Sequence, residues 1–585
     1  MTPREVAGVL REISQLLQFK GENAFKVRAY DLAADAFETL PPDPAAPSGL
    51  NELVKSGRLG EIDGVGKAID QKVTELVSTG KMKYLEDLRR EFPHGALDLV
   101  QVPGLGPRKA VVLIRELDIA SLDDLEKAAN EGRLRGLKGF GEKTEQAILE
   151  GVAKVRARQG ARKPLWETRP LAEQLVERVR AAPGVVRAEI AGSVRRYSET
   201  NGDIDIVAAV SGPVEPVMEA FAVAPGVAEL LARGTTKSSV RMRDGLQADL
   251  RVVTEPQFAT ALHHFTGSKQ HHVKLRGIAR DKGLSISEYG LARLDGGPPL
   301  QPESEEALYG LLGLQPVPPE LREDLGELEL AKKAALPELI QERDVRGFVH
   351  CHSTWSDGRA TLEEMVRAAH ALGKEFITIT DHTHAAHYAN GLDVDRLKRQ
   401  WDEIAQVQEK VPQIRILRGS EVDILEDGSL DWPDAILDQL DVVICSVHQR
   451  FKLDEPRQTE RIRRALSHPR CGIWGHPTGR YLGDREPMSA RWEELIALAA
   501  EKGVTIECNG TPHRLDFSAE LLRVANKHKA KICLSVDAHS TKELENLHYA
   551  VGTARRGWTE RSRVVNARAA DDFVKMVRSR KPASA

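Results

Sequence analysis

Two carboxylates stand two residues apart in an aliphatic stretch, TNGDIDIVAAV, at positions 200–210. Side chains at i and i+2 of a β-strand point to the same side, so Asp203 and Asp205 would project together, away from Ile204 and Ile206. Carboxylates that close repel each other, and apolar surroundings strengthen the repulsion. A divalent cation such as Mg²⁺ offsets it and leaves coordination positions open for phosphates. The pair alone fits a solvent-facing polar stripe at least as well, so its neighbours must decide between the two.

The residues on either side of this strand favour a metal site for phosphoryl chemistry. Gly192 and Ser193 are followed by an arginine pair that ends at Arg196, and a glycine turn with a hydroxyl and two guanidinium groups suits a triphosphate. The stretch GLQADLRVV (245–253) predicts a further strand with a third carboxylate, Asp249. Three carboxylates on adjacent strands form a two-metal site, in which one ion lowers the pKa of an attacking hydroxyl and the other holds the triphosphate.

A second set of chemical side chains lies further along the chain, where 13 of the 18 histidines fall between His350 and His548. Apolar strand-like runs alternate there with helical ones, which predicts an α/β barrel. The active sites of such barrels lie at the C-terminal ends of the strands, and six imidazoles and three carboxylates stand at those ends. Imidazole nitrogen and carboxylate oxygen suit Zn²⁺, Mn²⁺ or Fe²⁺. The nine side chains are His350, His352, Asp357, His382, Glu421, His448, His476, Asp537 and His539.

One glycine pattern occurs three times in the first 165 residues, which otherwise have helical apolar spacing: IDGVGKAI, VPGLGPRKA and LKGFGEKTE. Glycine lets the backbone turn tightly, and the N–H groups at the start of the following helix favour a phosphate. The pattern resembles helix-hairpin-helix elements, which hold the DNA backbone without reading its sequence. The candidate DNA contacts are Gly64, Gly66 and Lys67, then Gly104, Gly106 and Lys109, then Gly139, Gly141 and Lys143.

The charge near the third copy agrees with this interpretation. Between Arg133 and Lys163 there are nine Lys or Arg against three Asp or Glu, a net charge of +6. A solvated helix face would be the alternative. The whole chain has a net charge of −4, so DNA binding would depend on such local patches rather than on the overall charge.

The composition limits the remaining classes of protein. A chain of 585 residues with 41% hydrophobic and 29% charged residues predicts a globular protein of about three to five domains. No apolar run approaches the roughly 20 residues that span a bilayer, and no signal segment is visible, so we expect a cytoplasmic location without membrane contact. Five cysteines without a C-x-x-C pair predict neither a disulfide framework nor a thiolate zinc site.

The motifs G-S-x-R-R, G-D-I-D, D-L-R and F-T-G-S-K together resemble the nucleotidyltransferase palm and thumb of the X-family DNA polymerases, the polymerase beta family. The resemblance implies that Asp203 and Asp205 bind two Mg²⁺ or Mn²⁺ ions, and that Asp249 binds the catalytic ion and helps to activate the primer 3′-OH. Arg251 would be a switch residue beside Asp249. The implied substrate contacts are Gly192, Ser193, Arg196 and Gly202 to the dNTP phosphates, Phe265 and Gly267 to the sugar, His272 to the base and Arg276 to the template strand.

Three residues depart from that family's pattern. Tyr197 stands in place of a glycine after the two arginines, His264 in place of a tyrosine before F-T-G, and His272 in place of an asparagine that contacts the base. We expect the last two to affect sugar discrimination and base contact, and the metal site to be intact.

The N-terminal region resembles the 8-kDa domain of the same family in the stretches 23–34 and 64–81. In that domain a lysine forms a Schiff base with a deoxyribose phosphate, and Lys72 falls on its position. A lysine nucleophile needs a depressed pKa, which we expect the cationic neighbours Lys67 and Lys81 to supply. Contact with a 5′-phosphate is the alternative role for Lys72.

The spacing of the nine ligands in the C-terminal region resembles the PHP family of metal-dependent phosphoesterases, which carry a trinuclear site in a distorted (β/α)7 barrel. The resemblance implies up to three Zn²⁺, Mn²⁺ or Fe²⁺ ions, which would generate hydroxide and polarise the scissile phosphate. The implied sets are His350, His352, Glu421 and Asp537 for one ion, Glu421, His448 and His476 for a second, and Asp357, His382 and His539 for a third.

The whole chain thus resembles the bacterial PolX family, X-family DNA polymerases with a C-terminal PHP domain. The resemblance implies a multidomain fold of α-helical helix-hairpin-helix domains, an α/β nucleotidyltransferase palm with a thumb, and a distorted (β/α)7 PHP barrel. The expected domains are 1–85 (lyase-like, DNA-binding), 86–165 (fingers-type, helical), 166–255 (palm), 256–313 (thumb), 314–341 (linker) and 342–585 (PHP).

The expected activity is template-directed, gap-filling DNA synthesis in repair together with a 3′–5′ exonuclease. We expect a monomer that acts on gapped or primer–template DNA and on dNTPs. One alternative is a polymerase whose PHP domain acts as an abasic endonuclease or a 3′-phosphatase. The other is a largely non-catalytic scaffold that binds DNA ends.

Overall fold

The structure, a computed structural model, describes residues 3–578 apart from residues 39, 41–49, 63, 80–81, 93–98, 101, 103, 118, 120, 138 and 160–161. The chain forms two compact units. The first comprises residues 1–161 with the segments 223–231 and 240–247, and the second comprises residues 162–222, 232–239 and 248–585.

Residues 3–159 are helical wherever they form regular structure, as the apolar spacing predicts. In the first helix Val6, Leu10, Ile13 and Leu17 recur every three or four residues, and all four are fully buried because one face of an amphipathic helix covers the core. Two apolar cores form along this part of the chain. The helices are Pro3–Lys20, Ala24–Glu38, Leu50–Lys55, Lys67–Thr79, Lys83–Arg90, Pro107–Leu117, Leu122–Asn130 and Glu142–Gln159.

The palm is built on the aspartate strand. Strand β4 (Asp203–Val210) pairs antiparallel with β2 (Val185–Ile190) and lies next to β7 (Gln247–Val253). Ile204 and Ile206 are fully buried, whereas the side chains of alternate residues face the other way, as the period of two predicts. The other palm strands are β1 (Lys163–Pro164), β3 (Thr200–Asn201), β5 (Val227–Arg233) and β6 (Lys237–Met242), and the large sheet has the order β2–β4–β7–β6–β5. The palm helices are Leu165–Arg180, Gly192–Arg195 and Glu215–Ala222.

The thumb follows as two helices and a hairpin. The hairpin consists of β8 (Leu284–Ser287) and β9 (Gly290–Arg293), which pair antiparallel. The hairpin and a later helix, Glu305–Leu311, bury their apolar side chains in one common core. The two leading helices are Phe258–Thr266 and Lys269–Asp281.

The stretch 314–341 was predicted to be a linker, and this prediction is wrong. Leu314, Leu321 and Leu328 are buried in one core with Leu275 of the thumb, and Glu327–Lys332 is helical. The prolines and charges of this stretch indicated a solvated connection. The stretch is packed instead, because its charged residues pair with other residues of the fold and the apolar residues between them can be buried.

The C-terminal domain is a parallel barrel, as the alternation of strands and helices predicts. Its seven strands pair in chain order, each parallel to the next. The His352 N–H donates to the Ala538 carbonyl at 2.8 Å, and the Ala538 N–H donates to the His350 carbonyl at 3.1 Å, so the ends of the first and last strands meet. The strands are β10 (Gly347–Phe348), β11 (Phe376–Ile379), β12 (Arg415–Asp423), β13 (Val442–Ser446), β14 (Ile473–Trp474), β15 (Thr505–Asn509) and β16 (Lys531–Ser535).

Helices cover the outside of this barrel. Their apolar faces share one core with the strands, which explains why most strands are rich in apolar residues. The helices are Leu362–Ala371, Val394–Lys410, Asp434–Leu437, Glu455–Ser467, Trp492–Lys502, Ala519–Lys527, Leu547–Arg556 and Ala570–Arg578. Among the described residues, no helix combines the length and apolar character that crossing a bilayer requires.

Glu305 connects the palm, the thumb and the stretch after it. Arg195 Nη2 donates to Glu305 Oε2 at 2.6 Å, and Arg322 Nη1 donates to Glu305 Oε1 at 2.6 Å. Burial alone would raise the pKa of Glu305, but the two guanidinium groups outweigh it and lower the pKa to about 2. The ionised carboxylate therefore stabilises the fold above its ordinary pKa of 4.5, and this stabilisation is lost as the pH falls towards 2.

We expect Glu305→Gln to lower the free energy of unfolding by about 3 kcal/mol at pH 7, because it leaves two guanidinium groups without their carboxylate. The difference from the parent protein should shrink below pH 4.5, where the parent carboxylate starts to lose its advantage. Urea titrations at pH 7 and pH 3.5 measure it, with exposed Glu306→Gln on the same helix as the control. A difference that stays constant across these pH values would contradict the assignment.

Candidate active sites

A cavity of about 630 Å³ opens beside the aspartate strand. This volume suits a ligand of nucleotide size. The thumb contributes four wall residues that sequence reasoning did not select, Thr266, Ser268, Lys269 and Val273, and a further cation comes from Arg162. Two predicted residues, Gly202 and Asp249, are not among the lining residues. The predicted residues that do line the cavity are Asp203, Asp205, Gly192, Ser193, Arg196, Phe265, Gly267, His272 and Arg276.

The three aspartates stand close enough to influence one another's ionisation. Burial, followed by the charges of Asp203 and Asp249, raises the pKa of Asp205 to about 7, although Arg251 and Lys237 act in the opposite direction. Lys237 Nζ lies 2.8 Å from Asp249 Oδ2. A Cβ at Gly192 would collide with the Asp205 carboxylate, so only glycine fits there. A divalent cation between the carboxylates would relieve their repulsion.

Arg196 is held in place before any substrate is present. Its Nε donates to Glu323 Oε1 at 3.0 Å, and its Nη1 donates to the Thr266 carbonyl at 2.5 Å. Ser193 Oγ donates to Asn201 Oδ1 at 2.7 Å. These bonds fix a guanidinium and a hydroxyl at the cavity wall, where the phosphates of a dNTP were predicted to lie.

Two of the residues that depart from the X-family pattern, His264 and His272, form a hydrogen bond with each other. His264 Nδ1 lies 3.1 Å from His272 Nε2. Burial, followed by the proximity of His264, lowers the pKa of His272 to about 4, so His272 is neutral at pH 7. Arg251 lies beside this pair, with its guanidinium carbon 4.9 Å from the ring centre of Phe265. The two histidines therefore replace two residues of the family as one hydrogen-bonded unit.

In the first unit, Lys72 lies against an aromatic ring. Its Nζ is 4.8 Å from the ring centre of Tyr84 and donates to the Ala68 carbonyl at 2.9 Å. Burial, followed by the charge of Lys26, lowers the pKa of Lys72. The neighbour that contributes is Lys26 rather than the expected Lys67, and Lys81 lies outside the described residues.

The three glycine hairpins share one geometry. Gly64, Gly104 and Gly139 have φ angles of 86°, 83° and 92°, in the left-handed region that favours glycine. The glycine two positions later accepts a hydrogen bond from the first turn of the next helix in each copy. A helix start with lysines in its first turn suits a DNA phosphate. These second glycines and lysines are Gly66 with Lys67, Gly106 with Lys109, and Gly141 with Lys143.

The nine predicted ligands of the barrel meet at the C-terminal ends of its strands. Eight of them form three groups in which one ligand atom from each residue lies within 4.8 Å of the others, and the ninth, His476, contacts Glu421. The groups differ from the predicted sets in two respects, since His352 joins the third group and His382 takes the place of His476 in the second. The groups are His350, His352, Glu421 and Asp537; His382, Glu421 and His448; and His352, Asp357, His382 and His539.

Glu421 stands at the centre of these groups. Its Oε2 lies 3.2 Å from His350 Nε2 and 3.1 Å from His382 Nδ1. Its Oε1 lies 3.1 Å from His448 Nε2 and 2.7 Å from His476 Nε2. Burial alone would raise the pKa of Glu421, but these imidazoles hold it well below the usual range. Each oxygen thus faces at least two imidazoles, and Oε2 also lies 3.5 Å from His352 Nε2. This is the arrangement expected of a carboxylate that bridges two ions.

Several ligand atoms are buried and make no hydrogen bond to the described part of the chain. They include His350 Nε2, His352 Nε2, His382 Nδ1 and Glu421 Oε2. A buried polar atom left without a partner costs about 1–3 kcal/mol. Imidazole nitrogen and carboxylate oxygen are the donors that Zn²⁺, Mn²⁺ and Fe²⁺ accept. The residues of the barrel therefore fit divalent metal ions.

A second layer of carboxylates orients the imidazoles, and sequence reasoning missed it. Glu507 Oε1 lies 2.6 Å from His350 Nδ1, and Asp423 Oδ1 lies 3.1 Å from His448 Nδ1. Such partners fix the ring and leave its other nitrogen for a metal. The sequence contains one indication of this layer. The strand-like stretch TIECNG (505–510) holds none of the nine predicted metal ligands, but it does contain an acidic residue, Glu507.

Comparison with known proteins agrees with this geometry. Family models match residues 1–82 (helix-hairpin-helix domain), 96–154 (SAM-like helix-hairpin-helix tandem), 261–323 (DNA polymerase beta thumb) and 349–511 (PHP domain). Over 574 residues, 98% of each chain, the sequence is 36% identical to a protein of Bacillus subtilis (strain 168) named DNA polymerase/3′-5′ exonuclease PolX. The chain belongs to the bacterial PolX family.

Shorter relatives match about a third of this PolX chain. The chain is 31% identical over 235 residues to a probable phosphatase of Thermoanaerobacter sp. (strain X514), a match that covers 37% of the chain and 88% of the relative. It is 30% identical over 203 residues to a probable phosphatase of Caldicellulosiruptor saccharolyticus, covering 32% of the chain and 78% of the relative.

The remaining departure from the X-family pattern, Tyr197, has a structural reason in this PolX chain. Its φ of 55° lies in the left-handed region, which the family's glycine would adopt without strain. The ring packs against Gly552 in the PHP helix 547–556, where a Cβ would collide with it. The Arg169 guanidinium covers the ring, 4.2 Å from its centre. Tyr197 thus joins the palm to the barrel.

We expect Glu421→Ala to remove more than one metal ion per chain from the purified protein, whereas His350→Ala should remove about one. The reason is that Glu421 faces imidazoles of two groups, and two ions without their bridge repel each other. Elemental analysis by mass spectrometry measures the metal content, with exposed His370→Ala as the control. A full metal complement in Glu421→Ala would rule out a bridging role.

We expect His264→Tyr to raise the preference for dNTP over rNTP roughly tenfold, the scale of a single side-chain contact in a substrate pocket. His264 lines the cavity beside Phe265 and bonds His272, so its replacement changes the wall at the predicted sugar position. Incorporation efficiencies for both sugars measure the ratio. His272→Asn, which changes the partner but keeps His264, is the matched comparison. An unchanged ratio in His264→Tyr would mean that this position does not sense the 2′ group.

Proposed function

We propose that this PolX protein is a template-directed DNA polymerase that fills gaps in DNA repair and carries a 3′–5′ exonuclease in its PHP domain. The proposal depends above all on one observation: two sets of candidate metal ligands that share no residue lie in different parts of the chain. In the palm, Asp203 and Asp205 line a nucleotide-sized cavity, and burial and the charge of Asp249 raise the pKa of both. In the barrel, eight of the nine predicted ligands form groups that could hold metal ions, and the ninth, His476, contacts Glu421. The similarity over 98% of the chain to a protein named for both activities supports the pairing.

For synthesis, Asp203, Asp205 and Asp249 would hold two Mg²⁺ or Mn²⁺ ions, which when bound lower the pKa of the primer 3′-OH and neutralise the triphosphate. The chain itself orients the nucleotide. Ser193 and Arg196 would bind the phosphates, and the prior contacts of Arg196 reduce the entropy lost when they do. The remaining proposed contacts are Gly192 and Gly202 to the phosphates, Phe265 and Gly267 to the sugar, His272 to the base and Arg276 to the template.

For trimming, the nine ligands of the barrel would hold up to three Zn²⁺, Mn²⁺ or Fe²⁺ ions, which when bound supply an activated water and polarise the phosphate. Glu507 and Asp423 keep the imidazoles of His350 and His448 in the orientation that binds metal. Synthesis and trimming act on the same 3′ end, which gives a reason for their presence in one chain.

DNA would be held by the three helix-hairpin-helix glycine loops through its backbone. Such contacts carry no base information, so they suit a polymerase that must act at any sequence. Lys72 would form a Schiff base with a deoxyribose phosphate, since its lowered pKa leaves more of the neutral amine. Contact with a 5′-phosphate remains its alternative role. We propose a monomer with the domain boundaries given above, except that the thumb extends into residues 314–341.

A second candidate activity for the PHP domain is a 3′-phosphatase or an abasic endonuclease. The similarity of about a third of the chain to proteins named as probable phosphatases favours it. A non-catalytic scaffold is not favoured, because the imidazole nitrogens and carboxylate oxygens grouped in the barrel are donors that suit divalent metal ions.

We expect Asp205→Ala to abolish nucleotide addition to a labelled gapped duplex and to leave degradation of the labelled strand largely intact. His350→Ala should do the reverse, because the two sites share no ligand. The assay is run with and without dNTPs, first with Mg²⁺ and then with Mn²⁺. Release of single nucleotides from the 3′ end supports the exonuclease, whereas release of phosphate alone supports the phosphatase. Loss of both activities in either variant would refute the assignment of two separate sites.

A further inference from the structure

The palm reaches into the PHP domain through Glu199, which precedes strand β3. Arg480 donates to both oxygens of the Glu199 carboxylate, from Nη2 at 2.7 Å and from Nη1 at 3.2 Å. The side chain of Arg480 is 9% exposed and that of Glu199 is 29% exposed. A bidentate pair of this kind has a defined geometry, unlike a single contact between two solvated side chains.

The same arginine holds a turn of the barrel. Arg480 Nε donates to the Arg514 carbonyl at 2.9 Å, and its Nη2 donates to the Leu515 carbonyl. These carbonyls belong to the turn 511–516, which follows strand β15. Arg514 Nε in turn lies 3.4 Å from Oδ2 of Asp537, one of the nine predicted metal ligands. A chain of contacts therefore runs from a palm carboxylate to a metal ligand of the PHP centre.

A second palm side chain touches the same turn. The ring of Trp166 packs against His513 with 4.5 Å between the ring centres, and Tyr481 packs against His513 at 5.4 Å with the two rings parallel to within 1°. His513 therefore has an aromatic neighbour on each contact, a tilted one in Trp166 and a stacked one in Tyr481. This arrangement favours a role in holding the turn over a role as a platform for DNA bases.

We infer that the palm positions a part of the PHP active centre. Glu199 and Trp166 hold the turn 511–516 so that the Arg514 guanidinium stays beside Asp537, where it meets the phosphate of the strand being cut. A guanidinium suits that phosphate because its planar donors match two phosphate oxygens. Glu199 and Trp166 are thus positioning residues for the nuclease, although they belong to the polymerase palm. The inference rests on the proposed nuclease function.

The first test compares Glu199→Gln with Glu177→Gln, a palm glutamate whose ion pair with Arg180 stays within the palm. Glu199→Gln should lower kcat of the 3′ nuclease about tenfold, on the scale of a displaced catalytic group, with KM, metal content and DNA synthesis unchanged. Glu199→Asp should recover part of the loss. Glu177→Gln should change none of these quantities. A nuclease kcat that is unchanged in Glu199→Gln would overturn the inference.

The second test asks whether Glu199 acts through Arg514. In an Arg514→Gln background, Glu199→Gln should cause no further loss, because the group that it positions is already absent. Trp166→Leu, which removes a ring without changing any charge, should show the same dependence on Arg514. Losses that multiply in the double variants would indicate general damage to the domain and would overturn the inference. An unsubstituted protein without any nuclease activity would instead refute the proposed function itself.

Discussion

Both candidate active sites depend on carboxylates that the fold brings close together. In the palm, burial and the neighbouring aspartates raise the pKa of Asp205 to about 7. In the barrel, Glu421 and Asp537 are more deeply buried, yet the imidazoles around them hold the pKa of both carboxyls well below the usual range. Bound cations would therefore favour the ionised form of Asp205 in the palm, whereas in the barrel the neighbouring imidazoles already favour the ionised carboxylates. Oxygen donors alone suit Mg²⁺, and mixed nitrogen and oxygen donors suit Zn²⁺, Mn²⁺ or Fe²⁺.

The segment between Gly192 and Asp203 contacts both the metal site of the palm and the PHP barrel. Its start touches the metal site, since a side chain at Gly192 would collide with the Asp205 carboxylate. Its middle faces the barrel, where Tyr197 packs on Gly552 and Glu199 pairs with Arg480. One stretch of backbone therefore carries both the contacts with the barrel and, nearer its start, the proposed phosphate contacts. This arrangement gives a physical reason for the departure of Tyr197 from the X-family pattern.

Several features could be predicted from the sequence because they depend on neighbours along the chain. A period of two residues places Asp203 and Asp205 on one side of a strand, whichever strands lie beside it. The glycine pattern requires a left-handed residue at Gly64, Gly104 and Gly139, and the backbone has it. The nine barrel ligands could be selected because parallel strands in a barrel end at one rim, so residues at successive strand ends must meet.

Other features were decided only by the tertiary structure, because they depend on which distant residues come into contact. The pKa of Lys72 is lowered by Lys26 instead of the lysine closer in sequence. Residues 314–341 are packed instead of solvated, because the thumb offers partners to their charges. His264 and His272 form one pair across a turn between two helices. Glu507 orients His350 from a strand 157 residues away. Spacing along the chain determined which side chains could bind metal, and the closure of the barrel decided which of them share a group and which carboxylates hold them in place.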